Sequence, residues 1–178
     1  MRLAELCASR EDHPNRLKFE GCLTLVDVAS DKAPSGARGH RVVLPQKAAQ
    51  AALPTLLGMG VGYKPGWDGH DNRQRCGIIT AARIRRHKLL VSGYLFARDF
   101  PELAALECAE LGMSYELADA HVADMRRAVW MLTRVTFTGA AVLKKDKAAY
   151  RGTSFRVLGA KQAPAAEARC KPAEALAA

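Results

Sequence analysis

A chain of 178 residues, 49% apolar and 25% charged, is long enough to bury one sizeable core and has the composition of a single globular domain. Its formal charge of +9 points toward anionic partners, yet only 6% of residues are aromatic, too few to interleave with the cations as a stacking platform for single strands. No apolar run is long enough to cross a bilayer, and MRLAELCASREDHPNR lacks the apolar stretch of a signal peptide, so the expected setting is a cytoplasm without membrane contact.

The first sixteen residues mix charge, proline and alanine and read as an arm, a short helix or a loose segment. FEGCLTLVDV (19–28) sets Phe19, Gly21, Leu23 and Leu25 against more polar neighbours, the period of a strand. SDKAPSGARGH (30–40) is a loop by its Ser, Gly and Pro content. RVVL then meets Pro45, and QKAAQAALPTLL carries helix formers with that proline at the first turn and Pro54 placed to end or kink the helix. At 59–77, MGVGYKPGWDGHDNRQRCG is a short apolar piece and a glycine-rich loop, the kind of segment a scaffold holds over a cleft.

GIITAARIRRHKLLVSGYLF (77–96) predicts a hairpin with its tip at Arg86-His87-Lys88. FPELAALECAELG (100–112) predicts a helix, with Pro101 and Glu102 in the first turn, Leu103, Leu106 and Leu111 on one side and Gly112 as the cap. MSYELADAHVAD follows with period two, placing Met113, Tyr115 and Leu117 on one face and Ser114, Glu116 and Ala118 on the other. AVWMLTRVTFTG (128–139) and GTSFRVL (152–158) are further strands, and after Gly159 the chain becomes an Ala/Pro/Lys/Glu tail. Three parts result: an arm at 1–16, a folded domain at 17–158 and a tail or linker at 159–178. The expected fold class is α+β, a mostly antiparallel, barrel-like sheet flanked by helices, with no G-x-G-x-x-G or P-loop.

The five cysteines (Cys7, Cys22, Cys76, Cys108, Cys170) include no C-x-x-C pair and no histidine at zinc-finger spacing, so reduced thiols are expected and neither a metal nor another cofactor. The cations are spread from Arg16 to Lys147 rather than gathered in one block, which reads as solvated surface and only weakly as a nucleic-acid site.

Two side chains can carry chemistry. Ser114 follows the predicted helix and Gly112, where the backbone can approach a substrate closely; a serine nucleophile also needs a base within reach and oxyanion donors. His70 lies in a Gly-Trp-Asp-Gly-His-Asp loop whose acids can orient an imidazole. Among the other histidines, His13, His40 and His87 belong to the ragged start, a loop end and a turn, and His121 is the serious rival because it follows Ser114 along the same strand.

The order of these pieces resembles the tailed-phage prohead proteases, capsid-maturation serine peptidases related in fold to the herpesvirus assemblins. The matching segments are FEGCLTLVDVASDKAPSGARGHRVVLP, GHDNRQRCGIITAARI, LLVSGYLF, LECAELGMSYEL and WMLTRVTFTGAAVLKKDKAAYRGTSF, so the resemblance spans roughly residues 17 to 158. It implies Ser114 as nucleophile and His70 as general base of a serine endopeptidase that needs no cofactor. It also implies a scaffolding protein and the major capsid protein as substrates or assembly partners, homo-oligomers among the outcomes, and a place in the host cytoplasm inside the assembling prohead. Oxyanion donors are sought at the turn before Ser114 or at Thr138 and Gly139. The family often carries an acid, or in assemblins a second histidine, on the strand after the nucleophile, where this chain reads LTRVTFTG with Thr133 and Arg134. The candidates to stand behind His70 are therefore Asp71, Glu116, Asp119 and His121, with a Ser-His dyad as the remaining option. The alternative to the peptidase is a catalytically silent, basic scaffold or nucleic-acid-associated assembly protein on the same fold, supported by the +9 charge.

Overall fold

The segments expected as strands are joined by two that were not, RVV at 41–43 and GVGY at 60–63, to give eight strands in one sheet among the described residues. The computed structural model describes residues 13–158 except 72 and 107; the expected arm up to residue 12 and the tail from 159 lie outside the described residues. β1 (Leu17–Leu25) is flanked antiparallel by β5 (Lys88–Leu95) and β8 (Ser154–Val157). β5 turns back onto β4 (Arg75–Arg85) through Arg86 and His87, which confirms the hairpin and its tip. β4 continues antiparallel to β3 (Gly60–Tyr63). β3 and β2 (Arg41–Val43) lie parallel to one edge of the long β7 (Val129–Lys144), whose other edge pairs antiparallel with β6 (Leu111–Val122). Among the described residues the order β2-β7-β3-β4-β5-β1-β8, with β6 beside β7 alone, is a curled half-barrel of the α+β class, mostly antiparallel with two parallel pairings.

Inward-facing residues of nearly every strand meet in one core. Phe19 and Leu23 of β1, Ile79 of β4, Leu89 and Leu95 of β5, Met113 of β6 and Phe137 of β7 are almost completely buried. Each such side chain stabilises the fold by about 1.5–3 kcal/mol through the apolar area it removes from water. The one α-helix among the described residues, α1 (Gln46–Ala52), buries Ala48, Ala49 and Ala52, small residues that allow close packing against β7. It stops where Pro54 predicts, in a 3-10 turn at Leu53–Leu56.

Two expectations about local structure are corrected. The alternation in β1 holds from Lys18 to Gly21, after which Cys22, Leu23 and Thr24 are all buried and a bulge between Cys22 and Thr24 leaves Leu25 only half-buried. The helix expected over 100–112 is instead two 3-10 turns, Pro101–Ala105 and Cys108–Glu110. Leu111 and Gly112 pair with Lys144 and Leu143 as the first residues of β6, so the sheet claims the last turn of the expected helix. Of the eleven residues that remain, Leu103 is the only one fully buried among those whose side chains are described, and the segment is too short to hold a helix by propensity alone. Gly112 is thus no cap; a Cβ there would lie 2.5 Å from Thr153 Oγ1, and its absence lets β6 approach the turn before β8.

Candidate active site

β6 places its chemistry by register. Ser114 sits opposite Ala141 of β7, which in turn sits opposite Gly62 of β3, and Gly62 pairs with Arg75 of β4. One rung across four strands therefore reads Ser114, Ala141, Gly62, Arg75. Two residues on, Glu116 faces Gly139. Gly139 reaches this face because of a bulge: Glu116 pairs with Gly139 but Leu117 pairs with Phe137, leaving Thr138 as the extra, exposed residue. Without that insertion Gly139 would share the core face of Phe137. The floor between β6 and β4 is consequently made of small residues: Gly60, Gly62, Gly139 and Ala141.

The loop after β3 carries His70 over this floor. Trp67 takes a φ of 59° after Gly66, stacks on Tyr63 with ring centroids 4.6 Å apart, and accepts a bond from the Lys144 amide at 2.8 Å. At the other end Asp71 accepts the Arg73 amide at 2.9 Å and its Nε at 3.3 Å, and the Gln74 amide donates to the Asp71 carbonyl. Gly62 lets this end settle, since a Cβ there would lie 2.5 Å from the Gln74 carbonyl oxygen. The loop is thus tied down on both sides of the histidine.

His70 Nδ1 lies 3.2 Å from Glu116 Oε1. The same carboxylate is gripped by Arg75, whose Nη1 donates to Oε1 at 3.2 Å and whose Nη2 donates to Oε2 at 2.7 Å. The Glu116 side chain is only 12% exposed. Burial by itself pushes its carboxyl up, but the hydrogen bonds from His70 and Arg75 and the guanidinium charge outweigh it and hold the group below its ordinary range. An ionised carboxylate only accepts hydrogen bonds, so the proton of a neutral His70 sits on Nδ1 and Nε2 keeps its lone pair. His70, Ser114 and Glu116 line one cavity of about 690 Å³, together with Asp68, Lys32, Trp130 and Lys147.

Of the four residues expected behind His70, the fold brings one to it: Glu116. Asp71 turns back on Arg73, whose amide and side chain draw its carboxyl below the ordinary range. Asp119 is exposed with a φ of 49° in an irregular part of β6. His121 accepts at Nε2 from Arg134 Nη2, 2.6 Å away, farther along the same hairpin. The oxyanion expectation is corrected in its geometry. Thr138 and Gly139 form no turn but a bulge inside β7, with Gly139 directly under the Glu116 carboxylate. The turn before β6 ends at Glu110, three residues short of the residue preceding Ser114. Arg75 went unnoticed as a site residue; the signal for it was the spacing Gly60-x-Gly62 and Gly139-x-Ala141, which at period two clears one face of two strands.

Gly139→Ala tests this floor. Its Cβ would sit 2.5 Å from Glu116 Oε2 and 2.9 Å from Arg75 Nη1. Thermal and urea unfolding should show a loss of roughly 1–3 kcal/mol, the scale of overpacking, whereas Gly69→Ala, which meets nothing closer than Lys64 Cδ at 3.9 Å, should change little.

Among the described residues there is no cluster of three or more His, Cys, Asp or Glu able to hold a metal ion. Cys22 and Cys76 are buried and Cys108 half-buried, all as free thiols. No described helix is long and apolar enough to cross a membrane. No protein-family model matches this chain, and no curated protein matches it.

Proposed function

We propose that this chain is a serine endopeptidase, with Ser114 as nucleophile, His70 as general base and Glu116 as the acid that orients the base. The observation that carries the reading is the bond from His70 Nδ1 to Glu116, on the β6 face that also bears Ser114. Among the described residues no hydrogen bond joins Ser114 to His70, whose bond is the one from Nδ1 to Glu116. Two residues on one face of a strand are roughly 7 Å apart, a gap that an imidazole held at Nδ1 can close toward the serine through Nε2 when substrate binds. The far edge of β6, unpaired among the described residues, adds support: consecutive residues Met113 to Leu117 line the cavity, so it runs along an edge where an extended peptide can add its own backbone.

In this mechanism Ser114 Oγ bonds to the scissile carbonyl carbon as its proton passes to His70 Nε2. The C–N bond then breaks, the amine leaves with that proton, and an acyl-Ser114 ester remains. Water, deprotonated by the same nitrogen, attacks the ester and returns the serine hydroxyl. Glu116 stabilises the imidazolium at each stage and does not take the proton. The resemblance to prohead proteases supplies the substrate class: scaffolding protein, with capsid-protein extensions and the chain itself as further substrates, during capsid maturation.

The second reading, a silent polyanion-binding assembly protein, draws on one feature. From 72 to 98 the chain has seven cations and no acid, and Arg83, Arg85, Arg86 and Lys88 stand exposed around the β4–β5 tip. A fluorophosphonate probe separates the two. The peptidase reading expects a single covalent adduct, mapped by peptide mass to Ser114, together with scaffold cleavage on co-expression. An unlabelled protein that cleaves nothing, but binds duplex DNA with affinity falling steeply as salt rises, would sink it in favour of the second.

A further inference from the structure

Arg75 and Glu116 start three strands apart, on β4 and β6, with β3 and β7 between them. Three strand spacings amount to roughly 14 Å, so the two side chains must lie flat over the intervening strands to meet. A Cβ on Gly60 would come 2.8 Å from Arg75 Cδ, one on Gly62 would come 3.6 Å from Nη1, and one on Gly139 would strike both Nη1 and the carboxylate. Glycine at these three places opens a channel from β4 to β6, and the guanidinium fills its end with a two-pronged bond. Such a bond fixes a carboxylate in plane as well as in place.

We propose that Arg75 is the positioning residue of this site: threaded through the Gly60–Gly62–Gly139 channel, it holds Glu116 in the orientation that accepts from His70 Nδ1. The inference deepens the peptidase reading and rests on it for its kinetic consequences only. Other charged groups around the cavity are engaged elsewhere. Asp68 pairs with Lys64, Asp71 with Arg73 and Lys147 with Asp146, and Lys32 donates to the Asp146 carbonyl. Among the described residues His70 and Arg75 are the two charged or titratable side chains that bear on Glu116. Without the guanidinium, the carboxyl takes up a proton at higher pH; it then carries no charge to stabilise an imidazolium and, having an O–H of its own, no longer fixes the proton of His70 on Nδ1.

The test is a cycle of Arg75→Gln, Glu116→Gln and the double variant, with Arg75→Lys as the conservative replacement and as the variant to use should Arg75→Gln fail to fold by thermal melting. Arg75→Gln should lower kcat by roughly 10–100-fold, the scale for a partner that orients a functional group, with KM within about twofold. Its acid limb should move to higher pH, and Arg75→Lys should recover part of the rate. In the Glu116→Gln background the same change should cost little more, because the two act as a unit. An equal cost in both backgrounds with an unmoved acid limb would overturn the inference. The downfield proton resonance of His70 Nδ1–H gives a readout independent of turnover. Its loss or marked shift in Arg75→Gln supports the positioning role even in a protein that cleaves nothing, an outcome that would remove the peptidase reading alone. A resonance unchanged by Arg75→Gln overturns the inference whether or not the wild type cleaves.

Discussion

Replacing Ser114 by alanine is expected to lower kcat for peptide cleavage by roughly 10⁶-fold, with His70→Ala costing about as much and the double variant no more than either. The reason is that the nucleophile and its base act in one step; once either is missing, only binding and whatever donors stabilise the oxyanion survive. Alanine is well tolerated at position 114. The residue is half-buried, faces Ala141, and loses only a hydroxyl, so the melting temperature of Ser114→Ala should match the wild type. Intact mass of a co-expressed scaffold reads the result. Processing that continues at the wild-type rate in Ser114→Ala would remove this serine from the chemistry.

The second large effect belongs to Glu116→Gln, with an expected loss of roughly 10⁴-fold in kcat, the cost of presenting the base in the wrong tautomer. Arg75 donates to both carboxylate oxygens, with its shorter bond to Oε2. A glutamine must leave its one oxygen to that shorter bond, which turns its NH₂ toward His70 Nδ1. That nitrogen must then accept, so the ring proton moves to Nε2, where the lone pair is needed. Asp71→Asn, Asp119→Asn and His121→Gln serve as controls and should stay within about twofold, because none of these side chains contacts His70 through a described bond. A Glu116→Gln enzyme as active as these controls would leave His70 to work as a dyad.

Much of the fold was legible from periodicity. The hairpin tip at Arg86-His87, the helix begun at Pro45 and ended before Pro54, and the strand through 113–122 stand where the apolar pattern puts them, and the strand expected at 128–139 is present but runs on to Lys144. The 100–112 segment was misread for a physical reason. Its composition favours a helix, but its last two residues gain more from pairing with Leu143 and Lys144 than a short, mostly exposed helix can offer. Bulges were equally invisible, because an inserted residue such as Thr138 reverses the facing of the residues after it without changing local propensity.

The site divides along the same line. Sequence alone singled out Ser114 on a strand face, His70 in a glycine-rich loop, and Glu116 on the same face as Ser114, since each of those readings needs only local pattern. It left four residues to stand behind the histidine and overlooked Arg75 altogether. Selecting Glu116 required the pairing of β6 with β7, the bulge that brings Gly139 to the site face, and the parallel docking of β3 that lets Arg75 cross to the carboxylate. Contacts between residues 41 and 46 positions apart in the chain depend on how strands pair, and only the tertiary structure decides that.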